Sequence, residues 1–111
     1  MPHMIITYAR EIEDKTDIKV LVKSVWDTAE KSGLFTPSAI KSRALPVDAF
    51  VTGGTDKPFV HIDARMFAGR TVEQKQTLIA ALRETVSAAV GSGVSVSVEA
   101  IDMDKACYTK N

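Results

Sequence analysis

Hydrophobic and polar positions along this chain change period several times, and each change marks the edge of an element. Residues 3 to 8, His-Met-Ile-Ile-Thr-Tyr, form a short β-prone run that gives way to a charged loop from Arg10 to Lys15. Ile18, Leu21, Val22, Val25 and Ala29 then recur at helical spacing, with Thr16 or Asp17 as N-cap and Gly33 beyond the end, which predicts a helix over about 17–32. A loop at Gly33-Leu34-Phe35-Thr36-Pro37 leads into a β-prone stretch near 39–51, where Pro46 lacks a ladder donor and so belongs on an edge or at a bulge. Thr52 to Lys57, with Gly53-Gly54 inside it, is the clearest turn.

The same succession then repeats. Phe59 to Ala64 reads as a strand. Thr71 and Gln74 fit a capping box ahead of a stripe made by Leu78, Leu82, Val86 and Ala89 with Ile79 and Val90. Val94 to Ile101 alternates apolar and polar residues as a half-buried strand does. Pro2-His3-Met4-Ile5 answers Pro58-Phe59-Val60-His61, and Ser32-Gly33 answers Ser92-Gly93, at offsets of 56 and 60. The chain therefore reads as two fused β-α-β units, about 2–57 and 58–111, an α/β (α+β) architecture with one four-stranded sheet in a single domain. Right-handed crossovers place both helices on one face of that sheet. The other face is expected to be apolar and to require cover by further subunits.

With 111 residues there is little room for a separate cofactor domain. Basic and acidic residues number 14 each, seven of each sign in residues 1–55 and again in 56–111, so no stretch has the basic excess of a nucleic-acid or membrane-surface binder. No apolar run approaches the roughly 20 residues that span a bilayer, and no signal-peptide core is visible. Cys107 is the only cysteine and has no internal partner, which fits a reducing, cytoplasmic setting.

Chemistry-bearing motifs are few: no phosphate loop, no metal-ligand spacing and no nucleophile elbow. His3 and His61 have no evident carboxylate partner in sequence, and each alone reads as a hydrogen-bonded strand residue. Pro2 is more informative. Removal of Met1 would leave a secondary amine fixed at the start of a strand, and burial or a nearby cation would favour its neutral, basic form. Lys41 and Arg43 point to one side of their strand, while Arg70 stands just before the Thr71 cap, where helix amides also favour anions. The plainer reading of all four is a strand-starting proline and three solvated charges.

Pro2-His3-Met4-Ile5, Gly33-Leu34-Phe35, Ile40-Lys41-Ser42-Arg43, Phe59-Val60-His61 and Ala68-Gly69-Arg70-Thr71 together resemble the 5-carboxymethyl-2-hydroxymuconate isomerases of the tautomerase superfamily. Gly69 to Lys75 separately resembles the helix start of 4-oxalocrotonate tautomerase, whose subunit is one β-α-β unit. The resemblance implies a cofactor-independent homotrimer active in aromatic compound catabolism, with Pro2 as general base on a small unsaturated 2-hydroxy acid. It implies no metal. Arg70 would bind the substrate carboxylate, with Lys41 and Arg43 as further substrate-binding cations. Lys41 stands where these isomerases usually have arginine, and a lysine offers a point charge in place of a bidentate fork. The segment after Ile101 is also shorter than theirs. Other superfamily chemistry (phenylpyruvate tautomerase, hydratase or dehalogenase) and a non-catalytic trimeric binding protein with a blocked N-terminus are the alternatives.

Overall fold

A computed structural model describes residues 1–111. Strand β1 (His3–Ala9) leads through a short 3-10 turn to helix α1 (Ile18–Lys31) and strand β2 (Lys41–Val47). The second unit comprises β3 (Phe59–Phe67), α2 (Val72–Val90) and β4 (Ser95–Met103), followed by a single 3-10 turn at Lys105–Cys107. The four strands form one sheet in the order β2-β1-β3-β4. Within each unit the strands are parallel, as a helical crossover requires, and the units join by antiparallel pairing of β1 with β3.

Local chemistry explains most element ends. Asp17, not Thr16, caps α1 by accepting from the Val20 amide, and Gly33 follows the helix at φ 72°. Thr71 and Gln74 make the reciprocal capping box of α2. That helix ends at Gly91, two residues before the glycine paired with Gly33 in the sequence repeat, and Ala89 is exposed instead of joining the stripe. Pro46 lies in β2, an edge strand, where its missing donor costs no ladder bond between strands. The β-prone stretch over 39–51 shrinks to 41–47 because residues 37–39 form a 3-10 turn, and β3 runs on to Phe67 because β4 pairs with it throughout.

The core lies between the sheet and the two helices. Met4, Ile6 and Tyr8 from β1 and Val60, Ile62, Ala64 and Met66 from β3 meet Leu21, Val25 and Ala29 of α1 and Leu78, Leu82 and Val86 of α2. Each large side chain fully buried there contributes roughly 1.5–3 kcal/mol relative to exposure. The opposite face departs from expectation. Instead of an apolar surface it carries His3, Thr7, Arg43, His61, Asp63, Arg65, Ser97 and Glu99 among scattered apolar residues such as Ile5 and Ile101. In an alternating strand the face not needed by the helices is free to take polar residues, and here it has. No helix is long and apolar enough to cross a membrane.

Candidate active site

The N-terminal ends of β1 and β2 and the C-terminal ends of β3 and β4 meet at one end of the sheet, and the residues singled out in the sequence gather there. Pro2 immediately precedes β1 and its side chain is fully buried. Its carbonyl accepts from the Lys41 amide at 3.0 Å, which ties it to the first residue of β2. Trp26 of α1 fixes that junction by donating its indole N–H to the Ile40 carbonyl at 3.0 Å.

Met1 is buried as well. Its α-amino group donates to the Ala39 carbonyl at 3.1 Å, an acceptor that the Lys41 ammonium shares at 3.2 Å. Burial, followed by the bond and charge of Lys41, lowers the pKa of this amine to about 6. The Met1 thioether accepts from the Phe67 amide at 3.1 Å. The chain thus begins between Ala39 and Lys41 on one side and the end of β3 on the other.

The three cations occupy different positions around this end. Lys41 and Arg43 do point to the same side of β2, the side away from the helices. Arg43 brings its Nη1 to within 3.0 Å of His3 Nδ1. Arg70 follows Gly69, whose φ of 126° suits a residue without a side chain, and the turn delivers its guanidinium to the opposite side. There it donates to the carbonyls of Phe67 at 3.2 Å and Leu34 at 2.9 Å and lies 4.9 Å from the Phe35 ring centroid. Arg70 therefore clamps the loop after α1 to the end of β3, next to the residue that bonds Met1.

Residues 2–110 match the family described as 5-carboxymethyl-2-hydroxymuconate isomerase. The chain belongs to that family. As a member of the 5-carboxymethyl-2-hydroxymuconate isomerase family it is an enzyme of the isomerase/tautomerase class. Its fold is that of a crystal structure of 5-carboxymethyl-2-hydroxymuconate delta-isomerase, at TM-score 0.85 and 16% identity over 100% of this chain and 88% of the other. A 5-carboxymethyl-2-hydroxymuconate isomerase from Deinococcus radiodurans R1 is similar at TM-score 0.84 and 20% identity, covering 99% and 88%. A fused 4-OT symmetric trimer is similar at TM-score 0.72 and 18% identity, covering 92% and 87%. No curated protein sequence matches the chain.

Several residues at this family member's site carry no signal in the sequence. Tyr108 meets His3 across 105 positions, its hydroxyl 2.9 Å from Nε2, and its ring packs edge-on against Phe67 with centroids 5.4 Å apart. Ala39 and Phe67 act through backbone atoms, which no side-chain pattern reveals. His61 does have a carboxylate partner, two residues on: its Nε2 lies 2.9 Å from Asp63 Oδ1, because alternate residues of a strand share a face. The largest cavity, about 600 Å³ between α1 and α2, holds none of Pro2, Lys41, Arg43 or Arg70.

Proposed function

We propose that this isomerase, once Met1 has been removed, uses the secondary amine of Pro2 as a general base on 5-carboxymethyl-2-hydroxymuconate or a close analogue. The nitrogen takes the proton of the 2-hydroxyl as that O–H bond breaks. The electron pair forms the 2-oxo group and shifts the double bonds, and the amine returns its proton to the remote carbon as a C–H bond forms. Nothing is consumed, and no cofactor or metal enters the scheme. Lys41 stabilises the negative charge that develops on the dienolate oxygen, while Arg70 and Arg43 hold substrate carboxylates. Three chains assemble around the sites, as in the fused 4-OT trimer.

The observation that carries this reading is the setting of the chain's first residues. Pro2 is buried beside Lys41, and the α-amino group of Met1, one residue before it, is driven to a pKa of about 6 by burial and then by that lysine. A proline amine freed next to Lys41 would meet the same kind of cause, a neighbouring cation in a partly buried setting, which favours the neutral form that a base at neutral pH needs. Arg70 takes part through donors that remain after its two carbonyl bonds, or by exchanging one of them for substrate.

The test begins with intact mass to establish that Pro2 is N-terminal. Pro2→Ala, which leaves a primary and more mobile amine, is expected to lower kcat at least a hundredfold with less than a fivefold change in KM. Turnover close to that of the parent would remove Pro2 from the mechanism.

A further inference from the structure

On the face of the sheet away from the helices, beside the amino-terminal site, lies a second cavity of about 360 Å³, within the range of small-molecule sites. His3, Arg43, Arg65 and Tyr108 line it, and their hydrogen bonds fix which protons point where. A guanidinium can only donate, so His3 Nδ1 is the acceptor for Arg43 and the ring proton resides on Nε2. Nε2–H then donates to the Tyr108 oxygen at 2.9 Å, which leaves the Tyr108 hydroxyl hydrogen for a further acceptor. Burial, and after it the charge of Arg43, lowers the His3 pKa and agrees with this neutral tautomer.

The two cations and two carboxylates that line the cavity do not pair with one another. Arg65 sits across the β1–β3 ladder from His3, and neither it nor Arg43 forms an ion pair. The two carboxylates in the lining are held by other donors, Asp102 by a cation and Asp104 by neutral groups. Asp102 accepts from the Lys75 ammonium at 3.3 Å, and Asp104 accepts from the Ala106 amide at 2.9 Å. Two guanidinium groups and one hydroxyl donor thus line the cavity without an ion-pair partner, groups that a planar carboxylate can engage through paired N–H donors.

The cavity is also joined to the catalytic end. Tyr108 packs on Phe67, whose amide bonds Met1, and His3 follows Pro2 directly. We propose that Arg43, Arg65 and Tyr108 form a carboxylate subsite that receives the acid group of a substrate remote from its reacting 2-hydroxy end, with His3 as the residue that orients the tyrosine. Arg65 and Tyr108 thereby set a preference for substrates with several carboxylates over those with one. This rests on the isomerase reading of the Pro2 site, so the test has two independent parts.

In the first, protein with a verified Pro2 terminus is assayed on 5-carboxymethyl-2-hydroxymuconate and on phenylenolpyruvate, which has a single carboxylate. Arg65→Ala is expected to lower the ratio of kcat/KM between the two at least tenfold, mainly through KM. Arg65→Lys should recover part of the loss, and Tyr108→Phe should lower the ratio about threefold. Equal losses on both substrates would overturn the subsite. In the second, glutarate is titrated into the protein while the His3 ring is followed by NMR. Saturable shifts that Arg65→Ala abolishes support the subsite even where no substrate turns over, an outcome that would instead remove the Pro2 mechanism. No shift, or equal binding of inorganic phosphate and glutarate, would overturn it.

Discussion

Individual residues in this protein are defined by what lies next to them in space. Tyr8 shows it most simply: its ring is in the core while its hydroxyl donates to Glu13 Oε2 at 2.6 Å. Burial first, then the bond to Glu13 and its charge, raise the Tyr8 pKa from 10.0 to about 12. Because the folded value lies above the unfolded one, the native state holds the proton more tightly. Its contribution is complete below about pH 10 and is lost as pH rises through about 12. Tyr8→Phe should therefore flatten the fall in urea midpoint over that window, while costing about 1 kcal/mol at neutral pH for the lost bond. A variant whose alkaline profile overlays the parent would place the titration elsewhere. Residue-scale reasoning from sequence singled out Pro2, Lys41, Arg43 and Arg70 as candidates, since each is a conspicuous type at a conspicuous position. It missed Tyr108, because a contact across 105 residues leaves no spacing to read.

At the scale of elements, α1 does more than cover the sheet. Trp26 reaches the Ile40 carbonyl, and Ser42 donates its hydroxyl to the Val22 carbonyl at 3.0 Å, so the helix holds the start of β2 at two points. Lys41 lies between those points. Trp26→Phe preserves most of the packing but removes the indole donor and leaves the Ile40 carbonyl with one partner fewer. It is expected to cost about 1 kcal/mol in chemical denaturation. If Lys41 acts in catalysis, kcat should fall several-fold with it; an unaltered kcat alongside the stability loss would separate the helix contact from the site. Both helices were legible in sequence because caps and apolar spacing are local signals. The ends of β2 and β3 were not, since a strand extends as far as its neighbour pairs with it.

Across the whole molecule, the polar character of the open sheet face alters the physical case for assembly. An uncovered apolar face would have demanded partners, but this one carries Arg43, His61, Asp63, Arg65 and Glu99. What remains unpaired are the two edge strands, β2 and β4, each with a row of backbone groups available to another chain. The homotrimer proposed above is thus better supported by edge pairing together with a polar interface than by hydrophobic cover. Light scattering is expected to give three times the chain mass. Raised ionic strength should weaken the assembly, whereas a purely apolar interface would hold or tighten. A monomer at micromolar concentration would overturn the trimer.

The sequence by itself determined the two β-α-β units, their helices and the residues that carry the family resemblance, and it narrowed Pro46 to an edge or a bulge, between which the strand order chose the edge. All of these depend on neighbours within a few positions, or on an ordered set of residue types. Only the tertiary structure decided which way the second sheet face is lined and that Arg70 clamps a loop through two carbonyls. It alone brought Met1 against Phe67 and Ala39, and His3 against Arg43 and Tyr108. Those arrangements arise where the ends of four strands converge, and convergence of distant segments is a property of the packed sheet, not of any stretch of chain.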